Sequence, residues 1–260
     1  AAYATIWESE GSPLLTASQR LCAALEQRFK SDLGDGVAFA LGMRYGNPSI
    51  AAGLEQLIAA DARRILIVPL YPQYASATTG SVYDAVLAHC RGLRWVPELR
   101  FINDYHADTR YIGAVAESIS EFWSTHGRRE RLLMSFHGIP RDTFLAGDPY
   151  YCQCQATGRL LAEHLEFDSA AWSLSFQSRI GPKTWLEPYT DVTLVDWARG
   201  GLANVDVVCP GFSVDCLETL EEIAMRYAAL FEQAGGQKLR YIPALNDRAE
   251  HVSALAGIIS

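Results

Sequence analysis

Short apolar runs alternate with longer amphipathic stretches along most of the chain. The runs Val37–Met43, Ile65–Leu70, Trp95–Phe101, Leu132–Phe136, Trp172–Phe176, Val205–Cys209 and Leu239–Ile242 are short, rich in branched and aromatic residues, and bounded by polar or Gly/Pro positions, which predicts strands. Between them, Ala17–Leu33, Ile50–Ala62, Ser81–Cys90, Ala107–Trp123 and Cys216–Ala234 repeat apolar residues at helical spacing. This β-then-α alternation predicts parallel sheets with helices on both faces. The polar run Ser124–Glu130 marks a seam between two α/β units. A doubly wound unit normally begins on a central strand. The first unit opens instead on the loop-like Ala1–Pro13. There is no repeat at solenoid period and no low-complexity tract.

Composition narrows the class without naming a function. At 260 residues and 49% hydrophobic, the chain can bury a substantial core in one or two domains. A net charge of -8 offers no basic stripe for nucleic acid. Neither a bilayer-spanning apolar stretch nor a signal peptide is recognised, so the cytoplasm is the simplest compartment. Six cysteines in a chain this long do not form a disulfide scaffold. Cys152 and Cys154 are one residue short of the Cys-x-x-Cys metal spacing, and no second pair lies nearby. Neither a Walker A loop nor a Gly-x-Gly-x-x-Gly turn is present, which disfavours nucleotide binding.

Two segments carry candidate chemistry. Ser135-Phe136-His137-Gly138-Ile139-Pro140 follows the apolar run Leu132–Met134, which puts His137 at the carboxyl end of a parallel strand, where open α/β sheets build their sites. The ordinary alternative is a loop histidine bonded to a neighbouring backbone group. In the second segment, an apolar strand again ends in Pro210-Gly211, and a helix follows that carries Asp215, Glu218 and Glu222. Their spacing of three and four predicts carboxylates on one helix face, which calls for a cation, a proton or solvent. Acids favouring the helix dipole explain Asp215 and Glu218 as well, but Glu222 less so.

Together these segments resemble ferrochelatase, the enzyme that inserts Fe²⁺ into a porphyrin to form haem. The resemblance extends, in family order, through Met43-Arg44-Tyr45-Gly46-Asn47-Pro48, Pro69-Leu70-Tyr71-Pro72-Gln73-Tyr74, Gly147-Asp148-Pro149-Tyr150, Phe176-Gln177-Ser178-Arg179, Trp185-Leu186-Glu187-Pro188 and Tyr241-Ile242-Pro243-Ala244-Leu245-Asn246. It implies two Rossmann-like α/β lobes of the type II chelatase fold, doubly wound on parallel sheets, with a porphyrin cleft between them. Residues 1–125 with 246–260 would form the first lobe and 126–245 the second, which carries the metal site. Family members begin with a strand and a lip that closes over the porphyrin. Neither is recognised here, so this reading expects weak activity, or none, and self-association through an open strand edge.

The resemblance implies that His137 and Glu218 handle metal and protons, with Glu222 a secondary metal contact. Which of His137 and Glu218 is the base stays open, and Arg226 breaks any longer acidic ladder. Arg44, Tyr71, Trp185 and Phe212 are implied to contact the porphyrin, against the alternatives of core aromatics and a surface charge. Cys216 stands where animal relatives carry His, which suggests the bacterial type. Fe²⁺ and porphyrin are the implied substrates, with no prosthetic group. No 2Fe–2S cluster is expected, because no cysteine follows Cys216. A transient contact with a membrane or a haem acceptor, the oligomeric state, and the choice between protoporphyrin and coproporphyrin stay open. A cobalt chelatase of the same fold and a non-catalytic porphyrin- or haem-binding protein are the other readings.

Overall fold

A computed structural model describes residues 2–7 and 9–260. In chain order the helices are α1 (Ala2–Ile6), α2 (Pro13–Leu33), α3 (Ile50–Ala59), α4 (Ser81–Cys90), α5 (Thr109–His126), α6 (Arg141–Leu145), α7 (Tyr150–His164), α8 (Thr190–Arg199), α9 (Ala228–Gln233) and α10 (Ala249–Ile259). The strands are β1 (Arg64–Ile67), β2 (Glu98–Phe101), β3 (Arg131–His137), β4 (Trp172–Gln177), β5 (Asn204–Val208) and β6 (Lys238–Ile242). Two stretches, Ser76–Gly80 and Glu218–Tyr227, wind as π-helix, and the second runs directly into α9.

The strands form a two-stranded sheet, β1-β2, and a four-stranded sheet in the order β4-β3-β5-β6. Every pairing is parallel. Interior strand β3 is covered on both faces, which explains its nearly continuous apolar sequence. Leu132, Met134 and Phe136 point into a core shared with α2, α5, α7 and α10. Leu133 points the other way, to Leu194, Val205, Val207, Ile223 and Phe231. A smaller core beneath β1 and β2 gathers Leu54, Ile65, Val82 and Val86. Helix α10 packs against α5 and α2.

The polar run after α5 is held by a buried ion pair. Asp206, 1% exposed, accepts from Trp123 Nε1 at 2.7 Å and Arg240 Nε at 2.8 Å. Arg240 also donates to the carbonyls of His126 and Gly127, both at 2.7 Å. Among the described residues no helix is long and apolar enough to cross a membrane.

Several expectations need correction. Val37–Met43 is not a strand; the only pairing in the run is a bridge from Met43 to Ser49. Its alternating pattern suits a pleat, but a strand exists only where a neighbour takes its hydrogen bonds. The start is not loop-like throughout: α1 occupies Ala2–Ile6 and packs against the Glu218–Tyr227 stretch, whereas Ala1 and Glu8 lie outside the described residues. β1 and β2 are shorter than expected because Pro69 and Pro97 lack the N–H a ladder needs.

Candidate active site

The carboxyl ends of β3, β4 and β5 meet at one edge of the larger sheet, and the candidate groups gather there. His137 ends β3, half-buried, in register with Gln177 at the end of β4. Its Nδ1 faces the Gly138 carbonyl oxygen at 2.6 Å. A carbonyl only accepts, so Nδ1 carries the hydrogen, and in the neutral ring Nε2 keeps the lone pair. The next residue has to be glycine: a Cβ on Gly138 would come within 2.9 Å of the Gln177 carbonyl oxygen and 3.1 Å of the Trp185 ring. The Trp185 ring therefore lies on the peptide that follows His137, and the segment is tied down by a bridge between Pro140 and Trp185. The Phe212 ring lies 6.5 Å from the imidazole on the loop after β5, inclined at 46°.

The three carboxylates of the second segment do not share one face. Asp215 precedes the helix and is 8% exposed. It accepts from Thr219 Oγ1 at 2.9 Å, Tyr241 OH at 2.7 Å and Asn246 Nδ2 at 2.8 Å. Through Thr219 it ties the helix start to the segment after β6. Burial, then the Asp215 charge, pushes the Tyr241 phenol well above its usual range.

Glu222, 5% exposed, is turned toward β4. Ser178 donates to it twice, from its N–H at 3.0 Å and its hydroxyl at 2.5 Å, and Tyr227 OH donates at 2.7 Å. Ser178 adopts a left-handed conformation at φ 65°, which most side chains avoid. Arg226 Nη2 bonds Glu221 Oε2 at 2.9 Å.

Glu218 stays half-exposed between these two anchored acids. It lies near the Cys216 thiol: burial first, then the Glu218 charge, pushes that thiol well above its usual range. Tyr71 lies in the same neighbourhood: burial foremost, then Tyr45, Cys216 and Glu218, raise its phenol, while Arg44 lowers it. Arg44 Nε is committed to Ser81, donating to its carbonyl at 2.9 Å and its hydroxyl at 3.2 Å, and its guanidinium sits 4.6 Å over the Tyr45 ring.

A separate concavity of about 510 Å³ is lined by Arg179, Asp191, Glu222, Arg226, Tyr227 and Leu230, and not by His137, Glu218 or Trp185. Among the described residues no three His, Cys, Asp or Glu side chains converge on a point that could hold a metal ion. The cysteines are free; Cys152 is exposed and Cys154 buried on α7.

Gln177 and Ser178 had no role assigned from the sequence, although both lie in a segment the resemblance picked out. Gln177 Nε2 donates to the Glu218 carbonyl oxygen at 2.9 Å, joining the helix to the strand edge that carries His137. A polar pair closing an apolar strand before Arg-Ile-Gly-Pro was the available signal.

Comparison with known proteins adds to this geometry. The family model described as Ferrochelatase matches residues 1–260. A ferrochelatase of Thioalkalivibrio sulfidiphilus is 51% identical over 257 residues, covering 99% of this chain and 70% of that protein. One from Nitrosococcus oceani is 52% identical over 257 residues, with 99% and 70% covered. Among solved structures, SirB from Bacillus subtilis with Fe3+ superposes with a TM-score of 0.65 at 15% identity, covering 96% of this chain and 90% of that one. CbiX, described as the terminal enzyme for biosynthesis of sirohaem in denitrifying bacteria, gives a TM-score of 0.58 at 16% identity, with 94% and 88% covered. At such identities the likeness shows the fold alone, the α/β type II chelatase fold.

Proposed function

The chain belongs to the ferrochelatase family, and from that premise we propose that its insertion site is the sheet edge where His137 faces the helix bearing Glu218. Ferrochelatase is a lyase of haem biosynthesis, and its substrates are ferrous iron and a porphyrin. The observation that carries the site assignment is convergence: His137 ends β3, and the helix start carrying Glu218 is fastened to the adjoining strand end.

Insertion makes three demands on these residues. Iron must be held by groups that also release it, and an imidazole with one carboxylate suits that intermediate role. Two pyrrole N–H protons must leave, and the Nε2 lone pair of His137 can take up a proton. The macrocycle must bend toward the metal, with strain drawn from binding energy elsewhere in the cleft. Phe212 beside the imidazole, Trp185 beside Gly138, and Tyr71 in the neighbourhood of Glu218 supply aromatic walls for a flat ligand. Arg44 supplies a guanidinium for a propionate. Glu222 is a secondary metal contact in this reading, since Ser178 and Tyr227 already hold its carboxylate. The proposed two-lobe division is 1–125 with 246–260 against 126–245; α10 packs back on α2 and α5, and one core joins these helices to β3 of the second lobe.

The test is anaerobic incubation of the purified protein with Fe²⁺ and protoporphyrin. The free-base porphyrin spectrum is expected to convert slowly, in line with the weak activity expected above, to that of the metalloporphyrin, with loss of conversion in Glu218→Gln. Full conversion by Glu218→Gln would overturn the site assignment.

A further inference from the structure

Gln177 bonds to both halves of this site, through its main chain on one side and its side chain on the other. It lies directly across the β3–β4 pairing from His137 and is 1% exposed. Its main-chain oxygen accepts the Gly138 N–H at 2.8 Å, holding the residue whose carbonyl faces His137 Nδ1. Its amide is bonded at both ends. Oε1 accepts from the Ser135 hydroxyl at 2.7 Å and from the Cys209 thiol at 3.5 Å. Nε2 donates to the Glu218 carbonyl oxygen at 2.9 Å and lies 3.5 Å from Glu222 Oε2. The partners settle which way the amide points, because a carbonyl and a carboxylate can face only the NH₂ group.

Packing alone does not account for an amide here. An apolar side chain of similar length would fill the volume without the cost of burying a polar group, about 1–3 kcal/mol where a partner is missing. The amide bonds the main chain of the residue that bears the candidate carboxylate, at the first position of the π-helical stretch. Asp215 and Ser178 also hold this helix, but Gln177 is the side chain bonded to the main chain of Glu218 itself, and shortening it or removing its donor frees that residue to shift. In enzymes, a displacement of about 1 Å between reacting groups can cost roughly 100-fold in rate.

We propose that Gln177 is a positioning residue for metal insertion, setting the separation between the His137 imidazole and the Glu218 carboxylate by bonding strand and helix at once. It acts through those two groups and not on the reacting atoms, and the inference rests on their assignment to the insertion site.

Two variants separate spacing from packing. Gln177→Met keeps length and apolar volume but removes donor and acceptor; Gln177→Asn keeps the amide and shortens its reach. Both are expected to lower kcat for Fe²⁺ insertion by about tenfold or more. Protoporphyrin affinity by fluorescence titration is expected to stay within about threefold, with an unchanged far-UV circular dichroism spectrum. A folded Gln177→Met or Gln177→Asn protein with kcat within about threefold of the parent overturns the proposal. Failure of both variants to fold also overturns it, since the amide would then belong to sheet stability. Glu218→Gln run alongside keeps the two claims apart. If it retains full turnover, the site assignment has failed; if it loses turnover while Gln177→Met does not, only the positioning inference has failed.

Discussion

Tyr227 donates its phenolic hydrogen to Glu222 at 2.7 Å, five positions away on the same helix. On a regular α-helix, neighbours on one face are three or four apart. The wider turn of Glu218–Tyr227 brings residues five apart together, and Arg226 repeats the spacing with Glu221. Burial, then the Glu222 charge, lifts the Tyr227 phenol far above its ordinary range, so it remains a donor at any working pH. Tyr227→Phe removes one donor from a buried carboxylate and is expected to cost about 1–3 kcal/mol in a urea unfolding curve at neutral pH. An unchanged midpoint would mean that Ser178 alone satisfies the acid.

Glu218 and Glu222 should separate in their effects. Glu218→Gln removes a half-exposed carboxylate at the proposed insertion point, and turnover is expected to fall by roughly 100-fold or more, with stability barely changed. Glu222→Gln replaces a buried acceptor and is expected to cost about 1–3 kcal/mol of stability, with a loss of turnover at least tenfold smaller than that of Glu218→Gln. Equal losses of turnover would make the two acids one coupled unit.

Gly138→Ala tests whether the His137 loop tolerates any adjustment. Its Cβ would meet the Gln177 carbonyl oxygen at 2.9 Å, and a main-chain atom yields less readily than the end of a side chain. Overpacking of this kind is expected to cost about 1–3 kcal/mol and to lower kcat together with stability. Retention of both in steady-state kinetics and thermal unfolding would show that the loop has room to move.

The larger sheet is legible in the sequence because strands covered on both faces must be apolar almost throughout, as Leu132–Phe136 and Val205–Val208 are. Val37–Met43 misleads for the converse reason: its alternation is local, whereas pairing depends on a neighbour elsewhere in the chain. The helix after Gly211 is legible as a helix, but not in its turn. Glu222, a partner in one of its five-residue contacts, is also held by Gln177 and Ser178 at the end of β4, some forty residues earlier. His137, Glu218, Trp185 and Phe212 could be picked out because ordered segments carry them. Gln177 is marked only by the polar pair that closes its strand, and a glutamine there looks the same whether it meets solvent or a helix carbonyl.

His251 makes the pH dependence of folding testable away from the site. It is fully buried; Nδ1 donates to the Asn246 carbonyl oxygen at 2.6 Å, and Nε2 has no partner among the described residues. Burial, against that backbone bond, lowers its pKa to about 4 from 6.5. The folded pKa lies below the unfolded one, so the unfolded chain binds the extra proton between these values. Stability from the neutral imidazole is therefore complete above pH 6.5 and drains away as pH falls toward 4. Urea unfolding from pH 7 to 4 should show a steeper loss in the parent than in His251→Gln, and parallel curves would contradict the shift.

The most direct test of the account is metal insertion by His137→Ala, measured anaerobically with Fe²⁺ and protoporphyrin beside a fluorescence titration of porphyrin binding. The cleft walls remain in this variant, and only the imidazole is gone. The account predicts porphyrin affinity within about threefold of the parent and an insertion rate lower by roughly 100-fold or more. Insertion near the parent rate, with porphyrin bound, would remove His137 from the chemistry and contradict the assignment of this sheet edge as the site.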